Sequence, residues 1–126
     1  DDSLIVEHSA FDHASGMAAA QALLARPDRP TAILCSRDDL AAGVIAQAGQ
    51  MGLTLPHDLS VTGFDDTILA SRVWPPLTVI RQPVEDMAFR ATQCLIGALG
   101  KGGMRVSDEI FDHQLVQRAS IAPAST

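Results

Sequence analysis

A chain of 126 residues, 47% of them apolar, is long enough for one domain with a buried core and too apolar for a disordered segment. Its net charge of -6, with nine scattered Lys and Arg, is the wrong sign for a phosphate-binding surface and argues against direct contact with nucleic acid. Cys35 and Cys94 share no ligand or redox spacing and read as buried, reduced thiols of a cytosolic chain; no apolar run approaches membrane-spanning length and no signal peptide opens the sequence.

Asp1 stands where an initiator methionine would not, and reads as the start of a processed or truncated piece. Leu4 to Glu7 is predicted to be a short buried strand, ended by His8-Ser9. Met17 to Arg26 is rich in Ala and Leu and reads as a helix with Met17, Ala20 and Leu24 on one face, stopped by Pro27 and Pro30. Thr31 to Cys35 is a second buried strand. From Leu40 the helical period returns, with Leu40, Val44, Ala48 and Met51 in one stripe, Asp38 placed as N-cap and Gly52 as a left-handed C-terminal cap.

Ser60-Val61-Thr62-Gly63-Phe64-Asp65-Asp66 is the organising stretch, a β-branched run that delivers two carboxylates to the end of a strand. Asp66-Thr67 then open a short helix that ends before Pro75-Pro76, and Leu77 to Arg81 is extended. Pro83 begins the longest helix, with a buried stripe of Val84, Ala88, Ala91, Leu95 and Leu99, and Gly100 to Gly103 turns the chain. Ile110 to Gln117 is a last strand and Ala119 to Thr126 a polar tail. Strands and helices alternate without repeats, which predicts an α/β fold, a mostly parallel sheet flanked by helices.

In such sheets ligands sit beyond the carboxyl ends of the strands. Asp65, first after its strand, is the leading ligand candidate, because one carboxylate accepts from two adjacent hydroxyls of a sugar or ribose. Asp66 reads as a helix cap. Arg37 and Asp38 follow the neighbouring strand and would face the same crevice. The guanidinium could fork onto hydroxyls, a carboxylate or a phosphate, or simply pair with Asp39 or Asp65. Phe11 could stack on a ligand or pack in the core, and Trp74 could cover a subunit contact or be buried. The four histidines match no metal-ligand spacing, and neither a phosphate loop nor a nucleophile elbow is present, so no cofactor is expected. The pairs Asp38-Asp39 and Asp65-Asp66 leave a magnesium-dependent enzyme as a lesser alternative.

Four motifs carry a family resemblance. Pro30 to Gly43, Gly52 to Asp66, Pro76 to Pro83 and Leu115 to Ser120, in that order and spacing, closely resemble the LacI/GalR transcription regulators. The chain is similar to the carboxyl-terminal part of their effector-binding core, whose fold is of the periplasmic binding protein-like type I. The resemblance implies a cytoplasmic sensor in which a sugar or nucleoside lodges in a cleft and controls a separate DNA-binding headpiece. It makes Asp65 the carboxylate that holds effector hydroxyls and Phe11 the aromatic that packs on the effector, with Arg37 in place of a frequent asparagine and Asp38 beside it. It implies a homodimer with Leu40, Val44, Ala48, Val73 and Trp74 as candidate contacts, and places residues 83–107 in the other lobe. The headpiece, the first lobe and one strand-helix unit of this lobe are expected to be missing. Exposed edges and apolar faces should then favour dimers or exchanged elements. A sugar-binding protein of a transport system would share the same fold.

Overall fold

The structure, a computed structural model, describes residues 2–7, 10–100 and 108–123. The chain divides into two compact units, Asp1–Arg81 with Leu115–Thr126, and Gln82–Gln114.

In the first unit a helix α1 (His13–Leu24) leads to strand β1 (Ala32–Leu34), helix α2 (Asp38–Gln50), strand β2 (Ser60–Phe64), the short helix α3 (Ile68–Arg72) and strand β3 (Thr78–Arg81). A last strand, β4 (Gln114–Val116), completes a sheet of order β1-β2-β3-β4. β1, β2 and β3 are parallel, with Leu34 opposite Thr62 and Thr62 opposite Thr78. All three tips therefore point the same way, the condition for a shared crevice.

Each helix of this unit begins and ends for local reasons. Asp12 caps α1 by accepting the Ser15 amide at 2.8 Å, so the helix starts four residues before Met17. Gly52, at φ 77°, ends α2 as expected: its own amide donates to Gly49 and that of Leu53 to Ala48, which satisfies carbonyls the helix would leave open. α1 and α2 cross with their backbones touching. A Cβ on Gly16 would run into the Leu40 carbonyl, and one on Gly43 into the His13 carbonyl and the Met17 amide.

The core lies between these helices and one face of the sheet. Leu59, Val61, Leu77 and Val79 meet Ala20, Leu24, Ala41, Val44 and Ala48, all with at most 3% of their surface exposed. The chain's last described segment locks the sheet from its other end. Ser120 Oγ donates to the Val61 carbonyl at 2.6 Å and accepts the Thr78 amide at 2.8 Å, while the Val61 amide donates to the Ser120 carbonyl at 2.9 Å.

β1 is an edge. Ser60 donates to the Thr31 carbonyl and Cys35 to the Thr62 carbonyl, so the odd-numbered residues of this strand face β2. Alternation then turns the backbone groups of Ala32 and Leu34 to the free side. Leu34 is 83% exposed there, although parallel sheets ordinarily have both faces covered.

The second unit holds α4 (Val84–Gly100), preceded by Pro83 and carrying Glu85 and Asp86 in its first turn, with Arg90 paired to Glu109 at 2.7 Å.

Several expectations need correction. Leu4 to Glu7 is not a strand; Asp2–Leu4 forms a single 3-10 turn and the following residues pair with no strand among the described residues. The stripe on α4 is not buried: Val84, Ala88, Ala91, Leu95 and Leu99 are all exposed, because helical spacing shows which residues share a face and not whether anything packs on it. Cys94, on the same helix, is exposed, whereas Cys35 is buried and its thiol is pushed up to about 12 by that burial. The last strand is shorter than Ile110 to Gln117, and the expected polar tail is in part structural, since Ser120 is fully buried. His8-Ser9, residues 101–103 of the expected glycine turn, and residues 124–126 lie outside the described residues.

Candidate functional site

β2 ends in an unusual turn. Asp65 and Asp66 both have positive φ, 100° and 59°, a region that costs an L residue about 1–3 kcal/mol and that Asp tolerates better than most. The turn is fixed from two directions. The Asp65 amide continues the ladder to the Ile80 carbonyl at 2.9 Å, and the Asp66 carboxylate is clamped between two arginines. Arg81 Nε donates to Oδ2 and an Arg118 Nη donates to Oδ1, each at 2.6 Å. A second Arg118 nitrogen donates to the Leu77 carbonyl at 2.7 Å. Only 6% of the Asp66 side chain is exposed. Burial alone would raise its carboxyl, but the hydrogen bonds and charges of Arg118 and Arg81 outweigh that and hold it below the usual carboxylate value. Asp66 is thus a structural anchor and not the cap of α3, whose N-cap is Thr67.

Asp38 also differs from expectation. It is the first residue of α2; the N-cap is Arg37, whose side chain makes no capping bond. The Asp38 carboxylate is 1% exposed and turned inward, where Oδ2 accepts the Thr67 amide at 2.6 Å and the Thr67 hydroxyl at 2.9 Å. Its Oδ1 is buried without a hydrogen-bond partner among the described residues, at a spot 2.5 Å from where a Cβ on Gly63 would stand. Burial raises its carboxyl above the ordinary value, the Thr67 hydrogen bonds oppose this, and the charges of Asp65 and Asp66 add to it. Asp38 therefore positions the loop that carries Asp65 through Oδ2, while its unpartnered Oδ1 is buried.

Three side chains remain at the tips. Arg37 lies with its guanidinium carbon 5.9 Å from the centroid of the Phe11 ring and its Nε 3.9 Å from Asp65 Oδ2. Phe11 is 59% exposed, and the Arg37 and Asp65 side chains are 48% and 27% exposed. The loop after β1, the loop after β2 and the entry to α1 thus bring an aromatic face, a cation and a carboxylate to one place. With Asp38 and Asp66 committed inward, the acidic pairs do not present paired carboxylates for magnesium, and no cluster of three metal-binding side chains occurs among the described residues. The sequence reading missed Thr67, Arg81 and Arg118 as partners; Arg81 and Arg118 fell within motifs of the family resemblance but were given no role.

A hollow of about 600 Å³ opens beside the tips, lined by Leu4 to Glu7, Phe11, Ile33, Leu34 and Leu40, among others. Its walls are chiefly apolar and come from α1 and α2 as well as β1; of the polar cluster it touches Phe11 but neither Asp65 nor Arg37. It is therefore a gap in packing rather than the polar site.

The proposed subunit contacts divide sharply. Val44 and Ala48 are 2% and 0% exposed and serve the chain's own interior, whereas Leu40 packs against the same core but is only partly buried. Val73 is partly buried on that core too, while Trp74 is 85% exposed.

Residues 3–121 match the periplasmic binding protein-like domain. The chain belongs to that family. It is 41% identical over 95% of its length to the HTH-type transcriptional regulator MalR of Streptomyces coelicolor, covering 34% of that protein. To the ribose operon repressor of Haemophilus influenzae it is 36% identical over 93% of its length, covering 35%. Among solved structures, the transcriptional regulator CelR–cellobiose complex superposes with a TM-score of 0.86 at 27% identity, over 95% of this chain and 36% of that one. The α/β architecture is thus that of the LacI-type regulators, and the chain spans about a third of the length of the curated relatives it matches.

Proposed function

We propose that this periplasmic binding protein-like domain is the ligand-sensing part of a LacI-type transcriptional regulator. A small effector, a sugar or a nucleoside, binds at the tips of β1 and β2. Asp65 accepts from its hydroxyls, Phe11 packs on its flat or apolar face and Arg37 supplies donors. The convergence of these three side chains at one end of a parallel sheet is the observation that carries the reading. The names of the relatives, and the cellobiose bound by the CelR neighbour, support it.

In the intact protein residues 83–107 belong to the second lobe, and a further strand-helix unit lies against the free side of β1. The apolar hollow and the outward-facing groups of Ala32 and Leu34 support that placement. Effector binding favours one orientation of the lobes. Through a homodimer that uses the exposed Trp74, it biases operator binding by a headpiece outside this chain. Such coupling requires unequal affinity for the two states, typically about 1–3 kcal/mol. The reading assigns the chain no catalysis and a cytoplasmic place, and no helix among the described residues is long and apolar enough to cross a membrane.

Calorimetry on the intact protein tests the site. Asp65→Ala removes hydrogen bonds to a charged acceptor and should weaken effector about 10- to 100-fold, the range of about 1.5–3 kcal/mol for such bonds. Unchanged affinity would take Asp65 out of the site.

A further inference from the structure

We infer that the effector is an anion, a polyhydroxylated molecule whose carboxylate or phosphate is taken by Arg37 while its hydroxyls go to Asp65. The inference rests on the sensor reading above and narrows it to a ligand class.

Arg37 has only a loose counterion, Asp65. Its Nε is 3.9 Å from the nearest carboxylate oxygen, too far for a hydrogen bond, and among the described residues its guanidinium donates none. The other two arginines at this end of the sheet, Arg81 and Arg118, are spent on Asp66. Arg37 instead rests over Phe11 at 5.9 Å, a cation–π arrangement that leaves the planar donor fork available at the mouth of the site.

This arrangement discriminates between guests. A guanidinium fork matches two coplanar oxygens of a carboxylate or phosphate, whereas a sugar hydroxyl offers one neutral acceptor. A neutral sugar seated on Phe11 would have to displace the cation from the ring or partly desolvate it without compensation. An anion gains from both the charge and the fork. The separation of 3.9 Å between Arg37 and Asp65 lets one small molecule reach both with its acidic group and its hydroxyls.

The test is calorimetry on the intact protein with D-glucose, D-gluconate, D-glucuronate and D-glucose 6-phosphate, repeated with Arg37→Asn and Asp65→Asn. Expected is at least tenfold tighter binding of one or more anionic probes than of glucose. Arg37→Asn should abolish that preference and Asp65→Asn should weaken all probes alike. The ranking of the carboxylates against the phosphate ester identifies the anion. Glucose binding as tightly as the anions, or a preference that survives Arg37→Asn, overturns the charge assignment and leaves the sensor reading standing. No binding by any of the four overturns the charge assignment and leaves the sensor reading, which admits other sugars and nucleosides, standing.

Discussion

Asp66 holds the turn that presents Asp65, and its energetics make a sharp test. Replacing one member of a nearly buried ion cluster leaves the partners uncompensated, at about 3–5 kcal/mol. With Arg81 half exposed the lower end applies, so Asp66→Asn should cost about 3 kcal/mol in urea unfolding at pH 7. The pH dependence has a definite sign. The folded carboxyl titrates below its unfolded value, so its stabilisation is complete above about pH 4 and is lost as pH falls through the lower, folded value. Parent and variant should therefore converge as pH falls through that folded value; a constant gap would show that the charge is not what matters. Asp38, with its carboxyl raised by burial, contributes in the opposite sense, and acidification from neutral pH relieves its cost. The sequence placed Asp65 and Asp66 at the strand's end and made Asp65 the ligand candidate, without indicating that Asp66 turns inward. It could not show why, because the choice is made by two positive φ angles and by an arginine 52 residues further on.

At the scale of elements, the contact between α1 and α2 is decided by two residues without side chains. Gly43→Ala would push a methyl into backbone atoms of α1 that cannot turn aside, and should exceed the usual overpacking range, costing about 3 kcal/mol or more. Gly49→Ala lies in the same helix with nothing within 4 Å of the added carbon, and should stabilise by about 0.5–1 kcal/mol. Chemical denaturation of the pair checks this; similar losses for both would mean that the crossing is looser than described. Helices and parallel strands were legible because spacing, caps and glycine stops are local. The stripe of α2 was legible as a stripe, but not that Val44 and Ala48 within it are spent on the chain's own core, since a periodic apolar face looks the same whether it meets its own core or another subunit. The Leu4 to Glu7 run misled for a related reason: β-prone residues become a strand only beside one.

For the molecule as a whole, the exposed apolar side chains set the expected behaviour. Leu34 on the free edge, Ile68 and Trp74 near α3, and Phe89, Ile96 and Leu99 on α4 are 66–88% exposed, far beyond isolated surface leucines. The 126-residue chain should therefore associate. Light scattering should report a mass above 13.3 kDa, with binding of an apolar dye that falls when a Leu34→Lys change blunts the edge. A dye-negative monomer would contradict this.

Ser120 has a consequence in time. The sheet's two central strands are stapled by a residue made 59 positions after Val61. At translation speeds of about 5–20 residues per second, a nascent β2 waits roughly 3–12 seconds for its fastener. Through that interval the ribosome carries an unsealed intermediate, and messages that stop short of Ser120 should yield chains that cellular proteases clear.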